Sequence, residues 1–252
     1  MNAADCIQAL ELPASALVDQ RVPKKTLATH GAANAAARRQ IQEGIDELRW
    51  VAALKPSTCG VPAHTDEDRE YLEIAVLRVS LRPAGKPGAL LPLIHRAIPY
   101  PVVLVGAAPD GLSLSLAHKR WSQAEKGLVV VDGELTTLYL DDQVPEENLG
   151  VLLSSLSLAK QPRATLYDLY EGWLDTVLAM QAAPLLGDFQ LPRSREHAQA
   201  RKEALRECAR LESEIAALRA AAEREKQVPR RVELNLELKR IEAAHAEARK
   251  RL

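Results

Sequence analysis

An α+β fold is predicted for this chain: an N-terminal mixed, largely antiparallel sheet with helices, followed by a C-terminal antiparallel helical hairpin of the coiled-coil kind. Three observations carry that expectation. Between Tyr71 and Leu140, short runs rich in Leu, Val and Ile alternate with clusters of Gly, Pro and Asp, the punctuation of strands and hairpins. Thr165, with Asp168 three residues later, opens an apolar run in the manner of a helix capping box. From Arg193 to Leu252, apolar or small residues recur every three or four positions in two successive stripes, the spacing of one helical face.

The two stripes mirror each other. The first holds Leu205, Cys208, Leu211, Ile215, Leu218 and Ala222; the second holds Leu234, Leu238, Ile241, His245, Ala248 and Leu252. Ala222 and Leu234, Leu218 and Leu238, Ile215 and Ile241, Leu211 and His245, Cys208 and Ala248 are each equidistant from Val228. Such symmetry is what antiparallel pairing about a tip at Val228 requires. Pro229 adjoins that tip, and proline suits the first turn of a helix far better than its interior, where it costs about 3 kcal/mol.

In chain order, residues 1–30 hold a short helix and then RVPKK, whose Pro23 leaves Lys24 and Lys25 on a loop or helix start. Residues 32–50 read as a helix with Ile41, Ile45 and Leu48 on one stripe, and Trp50–Leu54 as a short strand. KPSTCGVP is a loop by composition, and TDEDRE at 65–70 an acidic turn. Tyr71–Leu81 is apolar on both faces, which predicts a central strand covered on each side. After PAGKPG, Ala89–Ile98 is a short apolar helix. Tyr100–Ala107 and Leu112–His118 form a hairpin about Pro109-Asp110-Gly111; Leu128–Val131 and Leu135–Leu140 form a second about Asp132-Gly133-Glu134. Residues 141–163 are connecting material with one apolar turn. The helix after Thr165 buries Tyr170, Trp173 and Val177 and runs to Ala182, with Pro184 and Gly187 ending it. The domain boundaries that follow are 1–145 for the α/β part, 146–192 for a helical connector and 193–252 for the hairpin.

With 252 residues, 47% of them apolar and 27% charged, the chain has the composition of a globular protein. Aromatic residues make up only 4%, too few for the stacking platforms that hold single-stranded nucleic acid. The net charge of -1 is unevenly placed. From Arg193 onward there are 16 Lys and Arg against 11 Asp and Glu; the first 192 residues hold 17 against 23. A polyanion such as double-stranded DNA would therefore meet the C-terminal arm first. Cys6, Cys59 and Cys208 are odd in number and far apart, which suggests neither a disulfide framework nor a zinc site. No run approaches the roughly 18 consecutive apolar residues of a membrane span, and the N-terminus does not read as a signal peptide, so a cytoplasmic protein is expected.

Catalytic signatures are sparse. There is no phosphate-binding glycine loop, no GxSxG and no HxxxH, so no cofactor, metal site or catalytic residue is assigned. A nuclease of the carboxylate-and-lysine kind would need an acid two residues before a lysine on a strand. The central strand reads Glu73-Ile74-Ala75 and then Leu77-Arg78-Val79, without such a pair. His118, Lys119 and Arg120 end a strand, where they serve either as phosphate contacts or as a charged edge.

Four segments carry a family resemblance: RVPKK, IQEGIDELRWVAALKPST, HRAIPYPVVLV and EKQVPRRVELNLELKRIE. In this order they resemble the bacterial and archaeal family 4391 of the domain-of-unknown-function series, over nearly the whole chain. The last segment is the most specific, with Glu233, Asn235, Glu237 and Lys239 in place. The family often carries a lysine where this chain has Arg78 or Arg82, so no role is carried over to that strand. What the resemblance implies is a neighbourhood: genes of this family lie beside Swi/Snf-type helicases and DNA methyltransferases, in clusters resembling restriction or antiphage defence systems.

The functional expectation is a non-catalytic accessory subunit of a DNA-modification or antiphage complex, docking a helicase or DNA methyltransferase. The alternative is a metal-dependent nuclease of the same system, and hairpins pairing between chains would make a homo-oligomer. Candidate DNA contacts are Lys24, Lys25, Lys119, Arg120, Lys226, Arg230 and Arg231. The candidate partner face is Val232 with Leu236, four apart and turned away from Leu238, flanked by Glu233, Asn235, Glu237 and Lys239. Either a partner or the protein's own α/β part covers that face.

Overall fold

The computed structural model describes residues 1–140 and 146–252. The chain forms two compact units, Met1–Val177 and Leu178–Leu252. As expected, the class is mixed α+β, with an N-terminal mixed sheet and two C-terminal helices packed together.

In the first unit, helix α1 (Ala3–Ala9) starts at a capping box: the Asn2 side chain accepts from the backbone of Ala4 and Asp5, and the Asp5 carboxylate accepts from the Asn2 N–H. Strand β1 (Leu17–Arg21), which sequence reasoning did not anticipate, has every residue exposed. Helix α2 (Lys24–His30) begins directly after Pro23, so Lys24 sits at a helix start. Helix α3 (Ala35–Gly44) is capped by Asn34, which accepts from the Ala37 N–H at 2.9 Å.

The chain then enters strand β2 (Ile45–Leu54) without a loop. This corrects the expected helix over 32–50. Ile41 lies on α3, but Ile45 and Leu48 lie on the strand. All three are fully buried, so the apolar inventory was right and the element wrong. Two constraints act at the junction. A Cβ on Gly44 would stand 2.8 Å from Leu90 Cδ1 and 3.0 Å from the Gly85 Cα, so only glycine lets the helix end so close to its neighbours. Pairing of this segment with β5, Ile45 opposite Leu81 and Leu48 opposite Val79, then outweighs the modest helix propensity of IDEL.

KPSTCGVP holds a short helix, α4 (Pro56–Cys59). Strands β3 (His64–Thr65) and β4 (Glu70–Tyr71) form a small hairpin around the acidic turn, where the Asp66 carboxylate accepts from the N–H of Asp68 and Arg69 at 2.8 Å each. Strand β5 (Ile74–Leu81) is central and buried along its length apart from Arg78 and Ser80. Helix α5 (Pro87–Ala97) is the crossover that brings β6 (Val102–Ala108) parallel to β5. Strand β7 (Gly111–Trp121) returns antiparallel to β6 through the expected Pro-Asp-Gly turn.

Strand β8 (Val129–Leu140) is one continuous strand along β7, not the second hairpin read from Asp132-Gly133-Glu134. The turn signal is spent on a bulge. Leu116 pairs with Thr136 and His118 with Asp132, and Gly133 takes the left-handed φ of 72° within the extra residues. The sheet order is β1-β2-β5-β6-β7-β8.

Helix α6 (Glu146–Ser155) occupies part of the stretch expected as connection, and residues 141–145 of that stretch lie outside those described. Helix α7 (Leu166–Leu186) starts as expected: the Asp168 N–H donates to the Thr165 hydroxyl at 3.2 Å, and that hydroxyl donates to the Asp168 carboxylate at 2.6 Å. It extends past Ala182 and takes Pro184 into its last turn, with Gly187 following. The Tyr170 hydroxyl docks α7 on the sheet, accepting from the Ala117 N–H at 2.8 Å and lying 2.7 Å from the Val102 carbonyl. The main core packs Leu48, Leu77, Val79 and Leu104 of one sheet face against Leu27, Ile41, Leu90 and Ile94 of α2, α3 and α5. Burying each such side chain stabilises the fold by about 1.5–3 kcal/mol.

One cation lies in this interior. Lys119 on β7 is 1% exposed, and its ammonium donates to the carbonyls of His95 and Ile98. Those carbonyls close the C-terminal end of α5, where acceptors lack helical partners and the helix dipole favours a cation. Lys119 is therefore not placed to meet a phosphate, which corrects its assignment as a DNA contact. Beside it, the buried His95 ring lies 3.0 Å from the Ser115 hydroxyl, and burial, reinforced by Lys119, lowers its pKa to about 3.

Burial also lowers the Lys119 pKa from 10.5 to about 8. With the folded value below the unfolded one, the unfolded chain binds more protons between those two values, so Lys119 makes stability rise with pH there. We expect the urea midpoint of the wild type to gain on that of Lys119→Met between about pH 8 and pH 10. Profiles that stay parallel across this window would show that the ammonium is not desolvated.

Candidate interaction surfaces

In the second unit, helix α8 (Arg195–Arg224) is capped by Ser194, which accepts from the His197 N–H at 3.2 Å. Helix α9 (Val228–Arg249) carries Pro229 in its first turn. The connection is Glu225–Gln227, a little before the tip placed at Val228, because Pro229 must stand within the first helical turn and Val228 is already helical. The helices pack as an antiparallel hairpin. Ala204, Cys208 and Leu211 of α8 bury against Ala248 and Leu252, with Leu205 and Ile241 at the margin. Ile215, Ala222 and Leu234 are buried, while Leu218 and Leu238 are half-buried.

Polar ties fix the register at several levels. Arg219 donates to Glu242 at 2.7 Å, and His245 lies 3.1 Å from Glu212. Arg201, 1% exposed, donates to the Leu252 carbonyl at 2.9 Å and to that of Gln190. His245, expected at the level of Leu211, is half-buried with its ring nitrogen beside Glu212, since an imidazole at the edge of the seam keeps a polar partner.

The outward face of α9 carries the candidate partner residues. Val232 and Leu236 are 52% and 56% exposed, and Val228 at 60% extends the line by one turn. The flanking Glu233, Asn235, Glu237 and Lys239 are exposed as well. Helix α9 is thus apolar on two faces, one used by α8 and one open. Val228, expected at the tip, stands instead on this ridge as the first residue of α9.

The candidate phosphate contacts separate into two groups. Lys226, Arg230 and Arg231 come together at the hairpin tip and are exposed, although Arg230 pairs with Glu233 at 2.6 Å and Glu223 and Glu225 are close in sequence. In the first unit Lys25 is exposed, but the Lys24 ammonium donates to the carbonyls of Gln42 and Ile45 at the end of α3. Burial, followed by Arg82, lowers the Lys24 pKa. Arg120 is half-buried, 3.3 Å from Asp132 and donating to the Trp121 carbonyl at 3.0 Å.

A further polar group was not foreseen. His118 on β7 stands between the buried Tyr71 hydroxyl, 2.5 Å from Nδ1, and Glu171 of α7, 3.0 Å from Nε2. The backbone N–H of Lys119 donates to Tyr71 at 3.4 Å, so the phenol proton turns to Nδ1 and the other ring nitrogen donates to Glu171. Tyr167 donates to the same carboxylate at 2.7 Å and receives Arg69 at 3.4 Å. His64 stacks on Tyr167 with ring centroids 5.0 Å apart, and lies 2.9 Å from Asp66, whose carboxyl it holds below the usual range. The residues come from β3, β4, β7 and α7, up to 107 positions apart in the sequence from His64 to Glu171, so no local spacing could reveal them. The arrangement couples the start of α7 to the sheet and the β3–β4 hairpin.

Among the described residues, no three His, Cys, Asp or Glu side chains converge as a metal site, and no helix is long and apolar enough to cross a membrane. All three cysteines are free and buried. The first unit is a helix-covered mixed sheet and the second an antiparallel helical hairpin. The chain belongs to the family described as Domain of unknown function (DUF4391), which it matches over residues 10–244. No curated protein and no solved structure matches it.

Removing the Glu171 carboxylate would take away the acceptor that His118 and Tyr167 share. We expect Glu171→Ala to cost about 1–3 kcal/mol in chemical denaturation, and Glu171→Gln, which keeps an acceptor oxygen, to lose less than half as much. Equal losses in the two variants would show that charge, not acceptance, is what the network needs.

Proposed function

We propose that this protein is a cytoplasmic, non-catalytic accessory subunit of a DNA-modification or antiphage complex, and that its hairpin docks a helicase or DNA methyltransferase. The observation that carries this reading is the ridge of Val228, Val232 and Leu236 on α9. Isolated exposed aliphatics are ordinary, but three in line on a rigid helix, bordered by Glu233, Glu237 and Lys239, have the form of an anchor for a groove or helix on another protein. The family resemblance supplies the class of partner. In the same reading the tip, with Lys226, Arg230 and Arg231, touches DNA phosphates once the complex is assembled. No specific observation among the described residues favours the nuclease alternative.

The ridge is exposed, so Leu236→Arg should leave the melting temperature within about 2 °C of wild type, as surface changes generally do. The same substitution should abolish co-purification with the helicase or methyltransferase from the native host. Retention of that partner would sink the docking role, and unfolding would make the ridge part of a core. For DNA, Lys226→Glu with Arg230→Glu and Arg231→Glu should remove salt-sensitive binding to a duplex, and binding that survives would place the contact elsewhere.

A further inference from the structure

The sheet face opposite the Leu48, Leu77 and Val79 core carries arginines in a row. Arg21 of β1 stands opposite Arg49 of β2, and Arg49 stands opposite Arg78 of β5. Residues directly opposed across antiparallel strands project to the same face with Cβ atoms about 5 Å apart, and like charges in that position repel. Two carboxylates answer the three guanidiniums. Asp19 lies 2.7 Å from Arg49; Glu47 lies only 3.5 Å from Arg49 and 3.9 Å from Arg78. Among the described residues one positive charge is left over, and the Glu47 contacts are long.

These arginines are also accessible. Arg49, Arg78 and Asp19 line a cleft of about 580 Å³ between the sheet and one side of α1. Ala4 and Ile7 of α1 and Val51 of β2 supply an apolar wall. We propose that this cleft binds a phosphoester anion of nucleotide size. Two neighbouring guanidinium forks match the oxygens of a phosphate bidentately, and an anion between them relieves the repulsion that the sheet register creates. The volume lies within the roughly 300–1,000 Å³ of small-molecule sites, and the wall of Ala4, Ile7 and Val51 gives an apolar seat beside the charged floor. Asp19 is the built-in competitor. It sits where the β1–β2 register shifts, at a φ of 45° that Asp and Asn tolerate, with its carboxylate on the guanidinium that the anion would use.

The test uses the full chain and the fluorescence anisotropy of a labelled ATP, with unlabelled ATP, inorganic phosphate and a short DNA duplex as competitors. Arg78→Gln should weaken labelled-ATP binding about tenfold or more, the loss of one charge-assisted contact, and should melt no lower than wild type because it removes an opposed like charge. Asp19→Asn should tighten binding by freeing Arg49. Since Asp19 is exposed, this variant decides the matter even if Arg78→Gln folds poorly. Absence of ATP binding, or affinity unchanged in both variants, overturns the site. Inorganic phosphate competing as well as ATP overturns the nucleotide-sized seat, and displacement by the duplex at lower concentration than ATP assigns the arginines to nucleic acid instead.

Discussion

The parallel pairing of β5 with β6 is the constraint on which the first unit depends. Parallel neighbours cannot be joined by a tight turn, so the chain between them must cross over the sheet, and here it does so as α5. A crossover lying on the sheet needs an apolar underside, which Leu90, Leu91 and Ile94 provide. It also buries a helix end whose carbonyls must find donors. The chain answers with Lys119 from β7, a residue distant in sequence that the β6–β7 ladder delivers beneath α5. A lysine that reads from the sequence as a strand-edge charge is thus a consequence of a parallel strand pair.

The same economy recurs at Lys24, whose ammonium closes the end of α3 where that helix passes directly into β2. In this fold two of the lysines most readily imagined on phosphate are occupied with backbone. The arginines of β1, β2 and β5 behave differently. They stand on strands, opposed by register, and among the described residues their carboxylate partners are fewer than they are. Backbone carbonyls absorb a flexible ammonium readily. A guanidinium fork asks for a planar pair of oxygens, and the spacing of adjacent strands presents such forks side by side.

The second unit rests on simpler physics. Its two long helices are rich in Ala, Leu, Glu and Arg, and the seam between them is narrow, with small residues at Ala204, Ala222 and Ala248 allowing close approach. A narrow seam consumes one stripe of α9 and no more. Val228, Val232 and Leu236 are left on the other side, a distribution that secondary structure alone does not require.

Periodicity alone determined the hairpin, its antiparallel sense and its seam, because a helical stripe is a local property and Pro229 marks a local boundary. The capping pair of Thr165 and Asp168, the central strand and the Pro-Asp-Gly turn were legible for the same reason. Tertiary structure decided what local signals leave open. It turned Ile45 and Leu48 from a helical stripe into a strand, since β5 offered them a ladder opposite Leu81 and Val79. It spent Asp132-Gly133-Glu134 on a bulge, since β7 is long enough to keep pairing. It gathered Tyr71, His118 and Glu171, buried Lys119 and lined up Arg21, Arg49 and Arg78. Each of these depends on strand order and register, which arise from contacts between distant segments and leave no period in the sequence.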